Sequence, residues 1–189
     1  SLEIGKPIKA MLAQKTASIK EGFKALGTPC AVEYKYDGFR LLIHKSGKRV
    51  VLFTRSLENV TNQFPEVVDY ILKFVDGDSF ILDSEAVGYN KKTKKYTDFQ
   101  AISQRIRRKY HIEKLQEELP VEVNVFDILY YNGESQLNEP FEKRSKLIRR
   151  ILKNHLYKII CAKQIITSDE KTAENFYKEV RVSVIMKNL

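Results

Sequence analysis

Cysteine is almost missing. Cys30 and Cys161 are the only two, far apart and with no second Cys or His at metal-ligand spacing, which argues against both a disulfide framework and a zinc site. No apolar run approaches the roughly 18 residues that a membrane-spanning helix needs. The start at Ser1 shows neither an initiator Met nor a signal-peptide pattern. The chain is therefore expected to be soluble and intracellular, without a membrane partner, and to be a segment of a longer protein. No internal repeat is visible, and the one biased patch is Lys91-Lys92-Thr93-Lys94-Lys95.

What is present is enough to fold. Of 189 residues, 43% are hydrophobic, which suits a packed core and is too much for a disordered tail. One large domain, or part of something larger, is expected. Lys and Arg exceed Asp and Glu by nine, a balance that favours a polyanionic partner such as nucleic acid or nucleotide phosphate without choosing between them.

Short β-branched runs at 30–36, 39–44, 49–54, 80–89 and 121–130 predict strands, and Lys45-Ser46-Gly47-Lys48 predicts a hairpin turn between two of them. Apolar residues three and four apart predict helices through Val67, Tyr70, Ile71 and Phe74 and through Phe141, Leu147, Ile148, Ile151 and Leu152. Because strands follow one another more often than they alternate with helices, the fold class is α+β, with largely antiparallel sheets flanked by helices.

The chemistry concentrates in Glu33-Tyr34-Lys35-Tyr36-Asp37-Gly38-Phe39-Arg40. On a strand, Glu33, Lys35 and Asp37 share one face and Tyr34 and Tyr36 the other. Lysine becomes a nucleophile when its surroundings free the amine, which arginine cannot do. Gly38 permits close backbone approach to a ligand, and Arg40 offers a donor fork. Taken alone, the octet also reads as a surface strand of alternating charge.

This octet resembles the signature of the covalent nucleotidyltransferases, whose lysine attacks the α-phosphate of a nucleoside triphosphate. With it, in order, stand segments at 5–13, 53–61 and 80–87, then Phe99-Gln100, Arg105 to Tyr110, and 123–130. Together they make the chain most similar to the adenylation domain of ATP-dependent DNA ligases of the archaeal and eukaryotic type. The resemblance implies the covalent nucleotidyltransferase fold with Lys35 as adenylated nucleophile. Glu33, Arg40, Arg55, Glu85, Phe126 and Lys187 would form the nucleotide site, Phe126 stacking on adenine and Glu85 touching the ribose or a metal-bound water. ATP and Mg²⁺ are the implied cofactors. Nicked double-stranded DNA is the implied partner of a monomer, with a sliding clamp engaged through parts of the family's proteins outside this chain. Roles in DNA repair, replication and recombination follow, in the cytoplasm of an archaeon or the nucleus of a eukaryote. Residues 1–189 would be an adenylation domain incomplete at its C-terminal end, without the family's N-terminal DNA-binding and C-terminal OB-fold domains.

On residue type alone, Phe126 reads as core within an apolar strand, and Arg55 and Glu85 read as solvated strand-edge charges. Asp83 and Glu85, two apart on one strand face, are placed as metal-directed carboxylates would be. Arg105 and Arg108 share a face if their segment is helical, and are candidate contacts to DNA phosphates, as is the Lys91 to Lys95 run; both patches also read as solvated surface. His44, His111 and His155 are read as structural or surface residues. The family's motif ending in Lys187 normally begins Glu-Gly, whereas Val182 and Ser183 stand there. The alternatives are an RNA ligase, an mRNA-capping guanylyltransferase, and a non-catalytic nucleic-acid-binding module. The upstream Met11-Leu12-Ala13 and the 100–110 stretch favour the DNA ligase.

Overall fold

The computed structural model describes residues 2–8, 17–179 and 183–189. Met11-Leu12-Ala13 and Val182 lie outside the described residues. Two β-sheets face each other across a cleft. The larger is built on β2 (Phe39–Ser46), β3 (Arg49–Thr54), β4 (Ser79–Gly88), β5 (Val121–Tyr131) and β6 (Glu134–Ser135), in the order β3-β2-β4-β5-β6, and β7 (Ile159–Cys161) also pairs with β5. The smaller has β1 (Cys30–Lys35) at its centre, flanked by β8 (Gln164–Thr167) and β9 (Ser183–Asn188). All these pairings are antiparallel except β5 with β7. This is the expected α+β class with largely antiparallel sheets and flanking helices.

Period-two alternation places the core. Leu41 and Ile43 of β2, Leu52 of β3, Phe80 and Leu82 of β4 and Val123 of β5 are fully buried on one face of the large sheet. Onto that face pack α2 (Pro65–Phe74), through Val67 and Ile71, and α6 (Phe141–Ile151), through Ile148 and Ile151, while the short α3 (Phe99–Ile102), α4 (Gln104–Arg107) and α5 (Ile112–Glu118) connect β4 to β5. Each such aliphatic side chain contributes about 1.5–3 kcal/mol by leaving water. The intervening residues of the same strands, Arg40, Asp83, Glu85 and Asn124, are polar and open to the cleft.

The predicted β2–β3 hairpin turn is present, with Gly47 at φ 58°. The outer face of the small sheet is covered by α1 (Ile19–Leu26) and α7 (Glu170–Lys178). The Tyr34 ring stacks on Phe176 of α7 at 4.2 Å, and Gly22 of α1 leaves room for Met186 of β9. Ser18 and Asp169 accept hydrogen bonds from Glu21 and Thr172 amides, capping these two helices. His44, on the same side of β2 as Arg40 and Leu42 and edge-on to the Phe53 ring, accepts a hydrogen bond from the Gly5 amide through Nδ1, and burial lowers its pKa to about 4. Among the described residues no helix is long and apolar enough to cross a membrane.

Candidate active site

The cleft encloses a cavity of about 870 Å³. From the small sheet it receives Glu33, Lys35, Ile185 and Lys187; from the large sheet Arg40, Thr54, Asp83, Glu85, Asn124, Phe126 and Asp127; and Arg55 and Phe99 lie at its edge. All seven residues expected at a nucleotide site thus line one cavity, although they come from β1, β2, the turn after β3, β4, β5 and β9. Within β1, Glu33 and Lys35 line the cavity and Tyr34 stacks on Phe176; Tyr36 and Asp37 lie past the end of the strand, Tyr36 against Tyr96 and Asp37 accepting a hydrogen bond from the Phe99 amide.

Lys35 ends β1 and is exposed to the cavity, beside the start of β9, whose Ser183 is its register partner. Gly38 follows in the turn to β2. A Cβ on Gly38 would lie 2.1 Å from the Ala86 carbonyl oxygen, so glycine is required here by the approach of β4 to this turn. That packing brings Glu85 to the Gly38 amide and within reach of the Lys35 charge.

The charges of the cavity are largely paired. Arg40 donates two parallel hydrogen bonds to Asp83, Nε to Oδ1 at 2.8 Å and a terminal nitrogen to Oδ2. Arg144 of α6 does the same to Asp127, at 2.8 and 3.2 Å. Lys187 forms an ion pair with Glu33, which is only 2% exposed. Burial raises the pKa of Glu33 and of Asp83, partly offset by these cationic partners. Glu85 differs. Burial pushes its pKa up to about 7 against the pull of the nearby Lys35 and the Gly38 amide.

Phe126 is not core. Across the β4–β5 ladder Asp83 faces Asp127 and Ser84 faces Val125, so Phe126 is the extra residue of a β-bulge. The bulge puts Asp127 on the cavity side together with Phe126 and returns Ile128 to the core. Here the flanking Val125 and Ile128 are buried in the core while the half-buried Phe126 ring lines the cavity, with Lys187 Nζ 4.7 Å and the Arg40 guanidinium carbon 5.7 Å from its centroid.

Two expectations are corrected. Arg105 does not face solvent beside Arg108. It is 1% exposed and donates to both Glu66 carboxylate oxygens, one at 3.0 Å, and to the Gln63 carbonyl at 2.9 Å, with its guanidinium over the Phe64 ring. The reason is geometric: α4 (Gln104–Arg107) is one turn long, its inner face lies against α2, and Arg108 is already beyond the helix and exposed. The second is Asp83, which is held by Arg40 and is not a free metal-directed carboxylate beside Glu85. In the lysine run, Lys91 pairs with Glu117 and Lys94 sits 4.9 Å from the Tyr157 ring centroid.

Asn124, Asp127 and Arg144 belong to this site and were not expected there. Asn124 was legible in the alternation of Glu122 and Asn124 with Val121, Val123 and Val125; Asp127 was not, because the bulge breaks that alternation.

The family model described as ATP dependent DNA ligase domain matches residues 10–184. A DNA ligase of Nanoarchaeum equitans is 45% identical over 178 residues, covering 94% of this chain and 31% of that protein. A DNA ligase of Thermococcus onnurineus is 42% identical over 180 residues, again 94% of this chain and 31% of that protein. The chain thus spans about a third of the length of the curated relatives it matches. Among solved structures, a mycobacterial DNA ligase D complexed with ATP and MES superposes with a TM-score of 0.61 at 23% identity, covering 85% of this chain and 48% of that one. An archaeal ATP-dependent RNA ligase gives 0.56 at 14% identity, with 95% and 45% covered. At such identities the structural likeness speaks to fold alone.

Proposed function

Because the chain belongs to the ATP-dependent DNA ligase domain family, we propose that it is the adenylation core of a DNA ligase and that Lys35 is the residue adenylated. The observation that carries this reading is the cavity itself. An exposed lysine stands at the end of β1 in a cleft that also presents an aromatic ring and several cations, the set a purine nucleotide with its phosphates calls for.

In the first step the Lys35 amine attacks the α-phosphorus of ATP in line. The N–P bond forms as the bond to the bridging oxygen breaks; pyrophosphate leaves with that electron pair, and the ammonium proton is lost to solvent. The product is a lysine-AMP phosphoramidate. Arg40, Arg55 and Lys187 offset phosphate charge, and Phe126 covers one face of adenine, a contact of about 1–3 kcal/mol. Asp83 and Glu33 hold Arg40 and Lys187 so that these cations are aimed before ATP arrives. In the protein carrying this chain, AMP then passes to the 5′-phosphate of a DNA nick, and the 3′-hydroxyl displaces it to seal the strand.

The carboxylates fit a Mg²⁺ that arrives with the nucleotide rather than one caged by protein. Asp83, Asp127 and Glu33 are each taken by a cation, Glu85 is not, and among the described residues no group of three side chains is arranged to hold a metal. Magnesium characteristically takes one or two carboxylates together with phosphates and water. Glu85 would hold it, and the ion would neutralise phosphate charge.

The test incubates the protein carrying this chain with ATP labelled in the α-phosphate and Mg²⁺. Label should remain on the denatured chain and vanish in both Lys35→Ala and Lys35→Arg, since arginine keeps the charge without an available amine. Persistence in either variant rejects Lys35. Transfer to a nicked DNA duplex but not to nicked RNA supports the DNA ligase over the RNA ligase, and labelling by ATP over GTP argues against a capping enzyme.

A further inference from the structure

Glu122 and Asn124 lie two apart on β5 and so project from the same side of the strand. Glu122 is fully buried, and its carboxylate receives three donors: the Tyr96 hydroxyl at 2.8 Å, the Tyr157 amide at 2.6 Å and Asn124 Nδ2 at 3.2 Å. An ionised carboxylate only accepts hydrogen bonds, so this contact decides which way round the Asn124 amide sits. Nδ2 turns to Glu122, and Oδ1 turns away. Asn124 is 3% exposed and lines the cavity, and its Oδ1 has no hydrogen-bond partner among the described residues. Directly opposite on β4 is Glu85, which when ionised has no proton to offer. A buried carbonyl oxygen without a donor is rare because it is costly, and such a group beside a binding cavity points to a ligand that completes it.

We propose that Asn124 is a specificity-determining residue of the nucleotide site, presenting a fixed acceptor to an N–H or O–H donor of the nucleoside, and that Glu122 is the positioning residue that sets its orientation. The inference rests on the reading of the cavity as the ATP site. Adenosine has two sources for such a donor, the amine on the purine ring and the ribose hydroxyls. If the amine is the source, guanine and hypoxanthine place a carbonyl oxygen against the Asn124 oxygen and are disfavoured. If the ribose is the source, the same oxygen distinguishes ribonucleotides from deoxyribonucleotides.

The experiment measures KM and kcat for lysine-AMP formation by the protein carrying this chain. The substrates are ATP, 2′-deoxyATP, 3′-deoxyATP and purine riboside triphosphate, which lacks the amine. The proteins are the unaltered chain, Asn124→Leu and Glu122→Gln. In Asn124→Leu the KM for ATP should rise roughly three- to tenfold, the worth of one hydrogen bond, with kcat little changed. One analogue should already show that loss with the unaltered protein and lose nothing more in Asn124→Leu: purine riboside triphosphate if the base is the donor, a deoxynucleotide if the ribose is. In Glu122→Gln the glutamine amide can itself donate, the Asn124 amide is released to turn, and discrimination against that same analogue should shrink although Asn124 is intact. Should Asn124→Leu fail to fold, Asn124→Ala removes the oxygen without added bulk and takes its place. Equal weakening of all four nucleotides, or an unchanged KM for ATP, overturns the proposal. An unaltered protein that forms no lysine-AMP overturns instead the reading of the cavity on which it rests.

Discussion

Glu85 lines the cavity without the close ion pair that Asp83, Asp127 and Glu33 each make. Asp83, Asp127 and Glu33 each face a guanidinium or ammonium, whereas Glu85 has the Gly38 amide and the charges of Lys35 and Arg40 without an ion pair to either, and burial carries its pKa to about 7. Below that pH it is mostly neutral; above it, charged. If charged Glu85 helps hold ATP and its metal, KM for ATP in lysine-AMP formation should fall as pH rises through about 7, and Glu85→Gln should flatten that limb. A profile whose shape Glu85→Gln leaves untouched removes Glu85 from ATP binding. The same shift acts on stability with the opposite sign from a salt-bridged carboxylate. The folded state holds this proton more tightly than the unfolded chain, so the contribution is present below the ordinary glutamate range and is lost as pH rises through about 7.

Single elements decide two further outcomes. Alternation with the buried Val123 and Val125 puts Phe126 on the cavity side of β5, and the bulge after it returns Ile128 to the core, so truncation of these two residues should part company. Phe126→Ala should weaken ATP binding by about 1–3 kcal/mol while leaving the fold intact, and Ile128→Ala should cost about 2–5 kcal/mol of stability. Calorimetric ATP binding and chemical denaturation of both variants check this, and a Phe126→Ala protein that unfolds would return Phe126 to the core. The α4 helix is tied to α2 by Arg105 and Glu66, both almost fully buried. Removing one partner leaves the other charge buried and unpaired, so Arg105→Ala should destabilise the protein by about 3–5 kcal/mol in denaturant unfolding. Replacing both by apolar residues of similar size should recover much of that loss. A loss confined to DNA affinity, with stability unchanged, would instead put Arg105 on the surface.

For the molecule as a whole, the excess of nine positive charges includes an exposed cluster that follows a cavity-lining residue. Ile106 lines the cavity, and Arg107, Arg108 and Lys109 follow it, all exposed, with Tyr110 81% exposed beside them. If the proposed DNA substrate presents its nick at the cavity, its phosphates would run along this loop. Each lost cation should lower the slope of log affinity against log salt by about 1, so Arg107→Ala, Arg108→Ala and Lys109→Ala combined should lower it by about 3, whatever the DNA sequence. Labelling of Lys35 by ATP should survive, because these residues lie outside the cavity. Nicked-duplex titrations across a salt series provide the measurement; an unchanged slope would move the DNA path elsewhere, with the Lys91 to Lys95 hairpin next, less its tethered Lys91 and Lys94.

Much was decided locally and so was readable in the chain. Alternation of apolar and polar residues sets which face of a strand is buried, and it placed β2, β3, β4 and β5 within a residue or two, with Arg40, Asp83 and Glu85 on the side away from the core. The order of residues from Glu33 to Arg40, with the later segments, was enough to identify the family and to nominate Lys35. What needed the tertiary structure were the features that depend on which strand pairs with which and where a ladder slips. A bulge is a property of two strands at once, so the cavity position of Asp127 could not be read from β5 alone, whereas that of Phe126 continues the alternation with Val123 and Val125. Arg105 was misread for the same reason. Its own segment says only that it is cationic and near a helix end, while its burial comes from Glu66, 39 residues away, and from the Phe64 ring beneath it. Nor does any local pattern say that Glu122 turns the Asn124 amide, because the donors that saturate Glu122 include Tyr96 and Tyr157, which only the packed fold brings to it.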